Sequence, residues 1–319
     1  MYDDALSFLL NIRVYAYGLM VMLGVWFGML TVFIQSRENE KQGLAAGIGG
    51  VIALPLGLIL ARLLYCLGDP SFYPIMTLRN ALQLTTGGYA MYGALAGAAI
   101  AALIGAKAAG TGVARMLDIT APALMAFLIP ARLGEGFTAL GISRPLTTEW
   151  LKGSFLAFRD EYDAYLRTYL LEAVIALVIF LILLRALKKG KASGTVFLSG
   201  CLYYGVSQTL MESLRYDGHL RFGFIGVQQV LSAALFSGAL IALAIPLLQR
   251  KNESRLLPLL SLVLLPVILF GLIGMEFLVD RSGMGKLTIY ALYLLVLAVP
   301  LTLGALMLRR RESIGQTVN

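Results

Sequence analysis

The chain runs to 319 residues, 59% of them hydrophobic and only 14% charged, with a mean hydropathy of +0.80. No compact surface could cover that much apolar side chain in water, so a soluble globular domain is excluded and an integral membrane protein is expected. The formal net charge of +8 at pH 7 would suit nucleic acid, but the basic residues sit in short linkers between apolar runs, where they set topology, and nucleic acid is not expected as a partner.

The N-terminal Met1-Tyr2-Asp3-Asp4 is acidic and lacks a basic leader region, so no cleavable signal peptide is expected. Apolar runs of about 20 residues cross a ~30 Å hydrocarbon layer as helices, because a helix satisfies its own backbone hydrogen bonds. Such runs predict spans over about residues 14–36, 44–67, 87–107, 117–139, 166–187, 195–214, 223–248, 256–278 and 287–308. With the N-terminus outside, the basic clusters Arg185–Lys191, Arg250–Arg255 and Arg309–Arg311 fall in the cytoplasm. The opposite linkers dilute their basic residues with Asp69, Glu149, Asp160, Glu161, Asp163 and Asp217. This bias predicts an outside N-terminus and an inside C-terminus. The expected fold is all-α: a polytopic membrane protein of about nine transmembrane helices. Residues 1–250 form the core, and residues 251–319 add a C-terminal helix pair and tail with little intramembrane polarity besides Glu276.

The longest outer linker, about residues 140–165, alternates Trp150, Phe155, Phe158, Tyr162 and Tyr165 with charges. That pattern suits a segment lying at the membrane interface, either as an anchor or as a lid over a lateral opening. Small residues recur four apart, as at Gly43–Gly47 and Gly93–Gly97, a spacing that lets helix backbones approach in lipid. Cys66 and Cys201 lie in apolar runs and read as small buried hydrophobes, and the single histidine, His219, lies in an outer linker. No metal or other cofactor is expected.

Five ionisable residues interrupt the apolar runs: Arg62, Arg132, Glu135, Glu172 and Glu212. Each costs roughly 2.5–3.5 kcal/mol on insertion scales at mid-bilayer, which makes each a candidate for function. On the predicted topology all five fall in the outer half, with Tyr17 near the outer end of the first span and Tyr89 and Tyr92 opening the third. Tyr204, Gln208, Glu212 and Arg215 recur at i, i+4, i+8 and i+11, one stripe of a helix, and Arg132 and Glu135 share a face at i, i+3. Lipid cannot satisfy such a stripe, so it faces protein or a water-filled cavity. Two readings remain open: a buried ion-pair network that holds helices together, and a pocket for an anionic lipid headgroup. In the second, arginine supplies a fork of donors matched to phosphate, and a neighbouring carboxylate orients it or acts as a base.

At these residues the chain resembles the bacterial prolipoprotein diacylglyceryl transferase family. The resemblance runs in order through Arg13-Val-Tyr-Ala-Tyr17-Gly18-Leu-Met20, Ala61-Arg62-Leu-Leu-Tyr65, Gly87-Gly88-Tyr-Ala-Met-Tyr92-Gly93, Asp118–Pro122 and Arg132-Leu-Gly134-Glu135-Gly-Phe137. It continues through Leu171-Glu172, Tyr204-Gly205-Val-Ser-Gln208-Thr-Leu-Met-Glu212-Ser-Leu-Arg215 and Gln229-Val-Leu-Ser232. Tyr92 stands where the family pattern has a histidine, Gln208 where it has a second arginine, and Glu135-Gly136 where the pattern places asparagine after glycine.

The resemblance implies a seven-helix core in a bacterial cytoplasmic membrane. It also implies transfer of a diacylglyceryl group from phosphatidylglycerol, an anionic phospholipid, to the cysteine of a lipobox-containing preprolipoprotein at the outer leaflet. Arg132, Glu212, Tyr92 and Tyr204 are then the expected catalytic residues. Tyr17, Arg62, Tyr89, Glu135, Gln208 and Arg215 are the expected substrate-binding ones. A phenol of reference pKa about 10 is a poorer base than imidazole near 6.5, so base catalysis is rearranged or lost relative to the family pattern. The competing reading is a non-catalytic lipid- or peptide-binding protein built on the same fold, such as an accessory subunit. A small-solute transporter fits less well, because no symmetric pair of broken helices is evident.

Overall fold

The computed structural model describes residues 7–9, 12–75, 77–83, 87–218, 220–250 and 254–317. His219 therefore lies outside the described residues, as do the first six residues. Nine long helices run through them. They are α1 (Ala16–Ser36), α2 (Glu40–Gly68), α3 (Met91–Ala108), α4 (Val113–Gly134), α5 (Thr168–Lys188), α6 (Thr195–Leu214), α7 (Val227–Leu248), α8 (Leu256–Arg281) and α9 (Lys286–Thr317). Eight are long and apolar enough to cross a membrane by themselves; α6 is not. The physical reason is its polar stripe, which the surrounding α4, α5, α7 and α9 shelter from lipid. Each helix matches an expected span, with ends that differ by a few residues or, for α9, by more. The lipid face is read from bulky exposed side chains such as Trp26, Phe33, Phe270 and Leu295, which would be untenable in water.

The spans are helical as expected, and the strands among the described residues lie outside them, ahead of α1 or between helices. β1 (Ser7–Leu9) pairs with β2 (Ile12–Val14) ahead of α1. Between α4 and α5, β3 (Ile142–Pro145), β4 (Ala157–Arg159) and β5 (Ala164–Arg167) form an antiparallel sheet in the order β3-β5-β4. A last hairpin joins β6 (Arg221–Phe222) to β7 (Ile225–Gly226). Strands this short carry no readable two-residue alternation, which is why the linkers look irregular in the sequence. In the interfacial linker Trp150, Phe155 and Tyr162 are exposed, while Phe158 and Tyr165 lie in the sheet and are half-buried. The Asp160 carboxylate closes the β4–β5 turn by accepting from the backbone N–H groups of Tyr162 and Asp163, which holds its pKa below the usual carboxylate value.

Helix pairing follows small residues. α3 lies so close to α2 that a Cβ on Gly97 would come within 2.6 Å of the Gly57 Cα, and Gly93 and Gly105 are equally confined by the α2 backbone. The 93–97 pair thus does what its spacing suggests. At Gly47 nothing lies within 4 Å of the position a Cβ would take, so the 43–47 pair mediates no such approach. The helix pair α8 and α9 packs on α6 and α7 through a core that includes Leu202, Phe236, Leu240, Ile268, Leu272 and Tyr293. Polar clasps join its ends to the rest. Arg144 pairs with Asp280 at 3.0 Å, Lys191 pairs with Glu312, and Arg311 donates to the Ser193 carbonyl at 3.0 Å.

Candidate functional site

The last turn of α4, the start of α5 and the end of α6 converge at one end of the bundle, and each brings charge. Arg132 closes α4 and Glu135 opens the short 3-10 turn that follows. Glu172 lies in the second turn of α5; Gln208 and Glu212 lie on α6, and Arg215 just beyond its end. All six are at most 4% exposed. Arg132 Nη1 pairs with Glu135 Oε1 at 2.7 Å and its Nε with Glu172 Oε2 at 2.9 Å. Arg215 Nη2 pairs with Glu135 Oε2 at 2.9 Å and its Nη1 with Glu172 Oε1 at 2.8 Å. Two guanidiniums and two carboxylates thus form a closed ring of alternating charge. Buried ions are tolerable when paired and hydrogen-bonded in this way.

Around the ring, Gln208 Nε2 donates to Glu172 Oε2 at 2.9 Å and to Glu212 Oε1 at 3.1 Å. Asp217 Oδ2 accepts from Arg215 at 2.9 Å and from the Gly141 backbone N–H at 2.6 Å. Gly141 has φ +73°, and a Cβ there would lie 2.9 Å from Glu135 Oε2 and 2.7 Å from the Tyr169 Cβ. Only glycine fits that position. Tyr17 packs over Gly134 and lies within electrostatic reach of Glu135, Arg132 and Arg215.

Beside the ring, Tyr92 and Tyr204 face one another with ring centroids 6.0 Å apart. The Tyr92 hydroxyl lies 2.6 Å from Ser232 Oγ on α7. Arg132 Nη2 and the Tyr204 hydroxyl are both buried and make no hydrogen bond to the carboxylates of the ring. They lie within hydrogen-bonding reach of each other, so that Arg132 and Tyr204 form a pair beside the ring. Outside that pair, Arg132 gives Nη1 and Nε to Glu135 and Glu172.

A family model described as prolipoprotein diacylglyceryl transferase matches residues 4–245. The chain belongs to that family. Among curated relatives, the phosphatidylglycerol–prolipoprotein diacylglyceryl transferase of Shouchella clausii (strain KSM-K16) is 28% identical over 238 residues, 72% of this chain and 84% of that protein. The similarly named proteins of Bacillus cereus (strain 03BB102) and Bacillus anthracis (strain A0248) are each 26% identical over 231 residues, 70% of this chain and 84% of theirs. The family match ends before α8 and α9.

Within this diacylglyceryl transferase-family core, Arg132, Glu135, Gln208, Glu212 and Arg215 meet with Glu172, and Tyr92, Tyr204 and Tyr17 adjoin them. Arg62 and Tyr89 do not join the ring. Arg62 is 3% exposed and holds the loop that leads into α3. It donates to the Gly87 carbonyl, to Gly88 O at 3.1 Å and to Asn80 O at 3.4 Å, between the rings of Tyr65 and Phe72. A separate cavity of about 370 Å³ lies beside it, lined by Arg62, Asp69, Asn80 and Gln83 among others. Tyr89 follows in the same loop and is 42% exposed. Equal depth in the sequence placed Arg62 with the other charges; its direction around α2 sends it elsewhere. Asp217, expected as one of the acids of the outer linkers, instead pairs with Arg215. Its signal was the two-residue spacing from Arg215, whose backbone turns extended at the end of α6.

Proposed function

We propose that the chain transfers a diacylglyceryl group from phosphatidylglycerol to the thiol of a lipoprotein cysteine at the outer leaflet. The observation that carries this reading is the buried Arg132–Tyr204 pair, whose Nη2 and hydroxyl are not taken up by the carboxylates beside them. In the reaction the cysteine sulfur forms a bond to the glyceryl carbon, the bond from that carbon to the phosphate oxygen breaks, and glycerol phosphate leaves. Charge grows on the leaving phosphate, where one N–H and one phenol O–H aimed at its oxygens stabilise it. Glu212 accepts the thiol proton, and the ring of Arg132, Arg215, Glu135 and Glu172 holds the donors in place. The remaining Arg132 donors are committed to carboxylates, so the headgroup is read by one edge of one guanidinium. The outer-leaflet placement rests on the outside N-terminus. It is checked by cysteines at Asp160 and Lys189: the first should react with an impermeant thiol reagent in intact cells and the second should not.

A second reading, a non-catalytic lipid-binding protein of the same fold, is favoured by Tyr92 and Gln208 in place of the family pattern's histidine and second arginine. A transfer assay with labelled phosphatidylglycerol and a lipobox peptide separates the two. Wild type should form lipidated peptide, and Tyr204→Phe with Arg132→Lys should not. If wild type binds phosphatidylglycerol but forms no product with any cysteine peptide, the binding reading replaces the catalytic one.

A further inference from the structure

The contact between Tyr92 and Ser232 has a polarity that its surroundings dictate. Ser232 Oγ lies 2.6 Å from the Gln228 carbonyl oxygen one turn back on α7, and also 2.6 Å from the Tyr92 hydroxyl. A carbonyl only accepts, and a serine hydroxyl has one proton. Were that proton turned toward Tyr92, two oxygen lone pairs would oppose each other at 2.6 Å in a buried site. The serine proton therefore goes to Gln228, and Tyr92 must donate its own to Ser232. Ser232 is 0% exposed and Tyr92 is 9% exposed, so no bulk water relaxes this order.

We infer that Ser232 is a positioning residue that turns Tyr92 into a hydrogen-bond acceptor toward the pocket. With its proton committed, the Tyr92 oxygen offers only lone pairs to whatever lies near Glu212, Tyr204 and Arg132, its electrostatic neighbours. It cannot donate to a phosphate oxygen, which accepts only. It can take a hydrogen bond from an O–H or S–H group. Ser232 thereby divides the labour in the pocket: Arg132 Nη2 and Tyr204 address an acceptor such as phosphate, and Tyr92 addresses a neutral donor. Two parts of the proposed substrates carry such a donor, the glycerol headgroup of phosphatidylglycerol and the cysteine thiol.

This inference rests on the phosphatidylglycerol reading for its ligand, but the hydrogen-bond polarity does not. The first arm uses the purified full chain without lipid. The tyrosine Fermi doublet in the Raman difference spectrum of wild type minus Tyr92→Phe reports whether the phenol donates or accepts. A donating phenol is expected, and Ser232→Ala should abolish that signature while Ser232→Thr keeps it. An accepting phenol in wild type overturns the proposal outright, whatever any variant does. The second arm compares binding of phosphatidylglycerol with phosphatidic acid of the same chains, which lacks the headgroup hydroxyls. If the headgroup is the source, Ser232→Ala should lose about three- to tenfold of the preference for phosphatidylglycerol, the worth of one neutral hydrogen bond. If the thiol is the source, that preference is unchanged, and Ser232→Ala instead raises KM for a cysteine peptide with little change in kcat. If neither quantity moves, Ser232 has no such role. Should the Raman signature hold while neither lipid binds, the phosphatidylglycerol reading fails and the assigned polarity stands.

Discussion

Arg132 and Arg215 are held through the same two carboxylates, Glu135 and Glu172, each giving one oxygen to each guanidinium at 2.7–2.9 Å. The arginines come from different helices, so the ring ties the end of α4 to the end of α6 and both to α5. It also means that each arginine serves the fold before it serves a substrate.

That double duty sets the outcome of Arg132→Lys. A lysine keeps the charge but cannot meet Glu135 and Glu172 from two separate nitrogens while leaving a third for a ligand. A buried carboxylate oxygen left without its donor costs about 1–3 kcal/mol, so thermal stability should fall measurably. Binding of anionic lipid should fall about tenfold or more. Adding Glu135→Gln removes one unmet charge and should recover part of the stability without recovering lipid binding or transfer. Recovery of both would mean that Arg132 acts only through the fold.

Gln208 sits between Glu172 and Glu212, in a cluster where Glu135, Glu172, Glu212 and Asp217 outnumber Arg132 and Arg215. Replacement by arginine adds a cation that shares Glu172 Oε2 with Arg132 Nε, and the excess of carboxylates outweighs that like-charge contact. We expect Gln208→Arg to accumulate at wild-type levels and to melt no lower. Gln208→Leu, which fills space but donates nothing, should lose about 1–3 kcal/mol. Comparing melting curves of the two purified variants checks this, and equal loss in both would contradict it.

Asp118 illustrates a charge whose role is structural. Its carboxylate, 0% exposed, reaches from α4 to accept from the Gly194 N–H at 2.7 Å and the Phe197 N–H at 2.8 Å. It thereby caps the N-terminus of α6, a function that a helix usually finds within its own chain. Asp118→Ala should cost about 1–2 kcal/mol, and Asp118→Asn less. Neither should alter the ratio of transfer rates between lipid donors, since the cap lies at the other end of α6 from the ring.

The final helix pair offers a fourth test. Gln229 Nε2 donates to Glu276 Oε1 at 2.6 Å and to the Tyr293 hydroxyl at 2.8 Å. All three are buried where α7 meets α8 and α9. In a chain ended after residue 250, lipid can replace the lost apolar contacts but not these acceptors. We expect that truncated chain to insert with reduced thermal stability, and Gln229→Leu to restore part of it, while the same substitution destabilises the full chain. If Gln229→Leu has the same effect in both lengths, the three residues do not couple the pair to the core.

The sequence by itself determined that this protein lives in a membrane, where its helices run and which residues are costly there. Hydropathy and the i, i+4, i+8, i+11 stripe from Tyr204 to Arg215 depend only on composition and helical period, both local properties. They also revealed the face of α6 that must be buried. Position along a helix is one coordinate, however, and direction around it is another that only packing against neighbours settles. The tertiary structure alone decided that Glu172 lies between two arginines and that Arg62 turns to the loop before α3. It also carried Asp217, read as a linker acid, back to close the site, and it gave the Tyr92 proton to Ser232, 140 residues away. Those outcomes depend on the angles at which separate helices meet, and close contacts such as that of Gly97 with Gly57 set those angles.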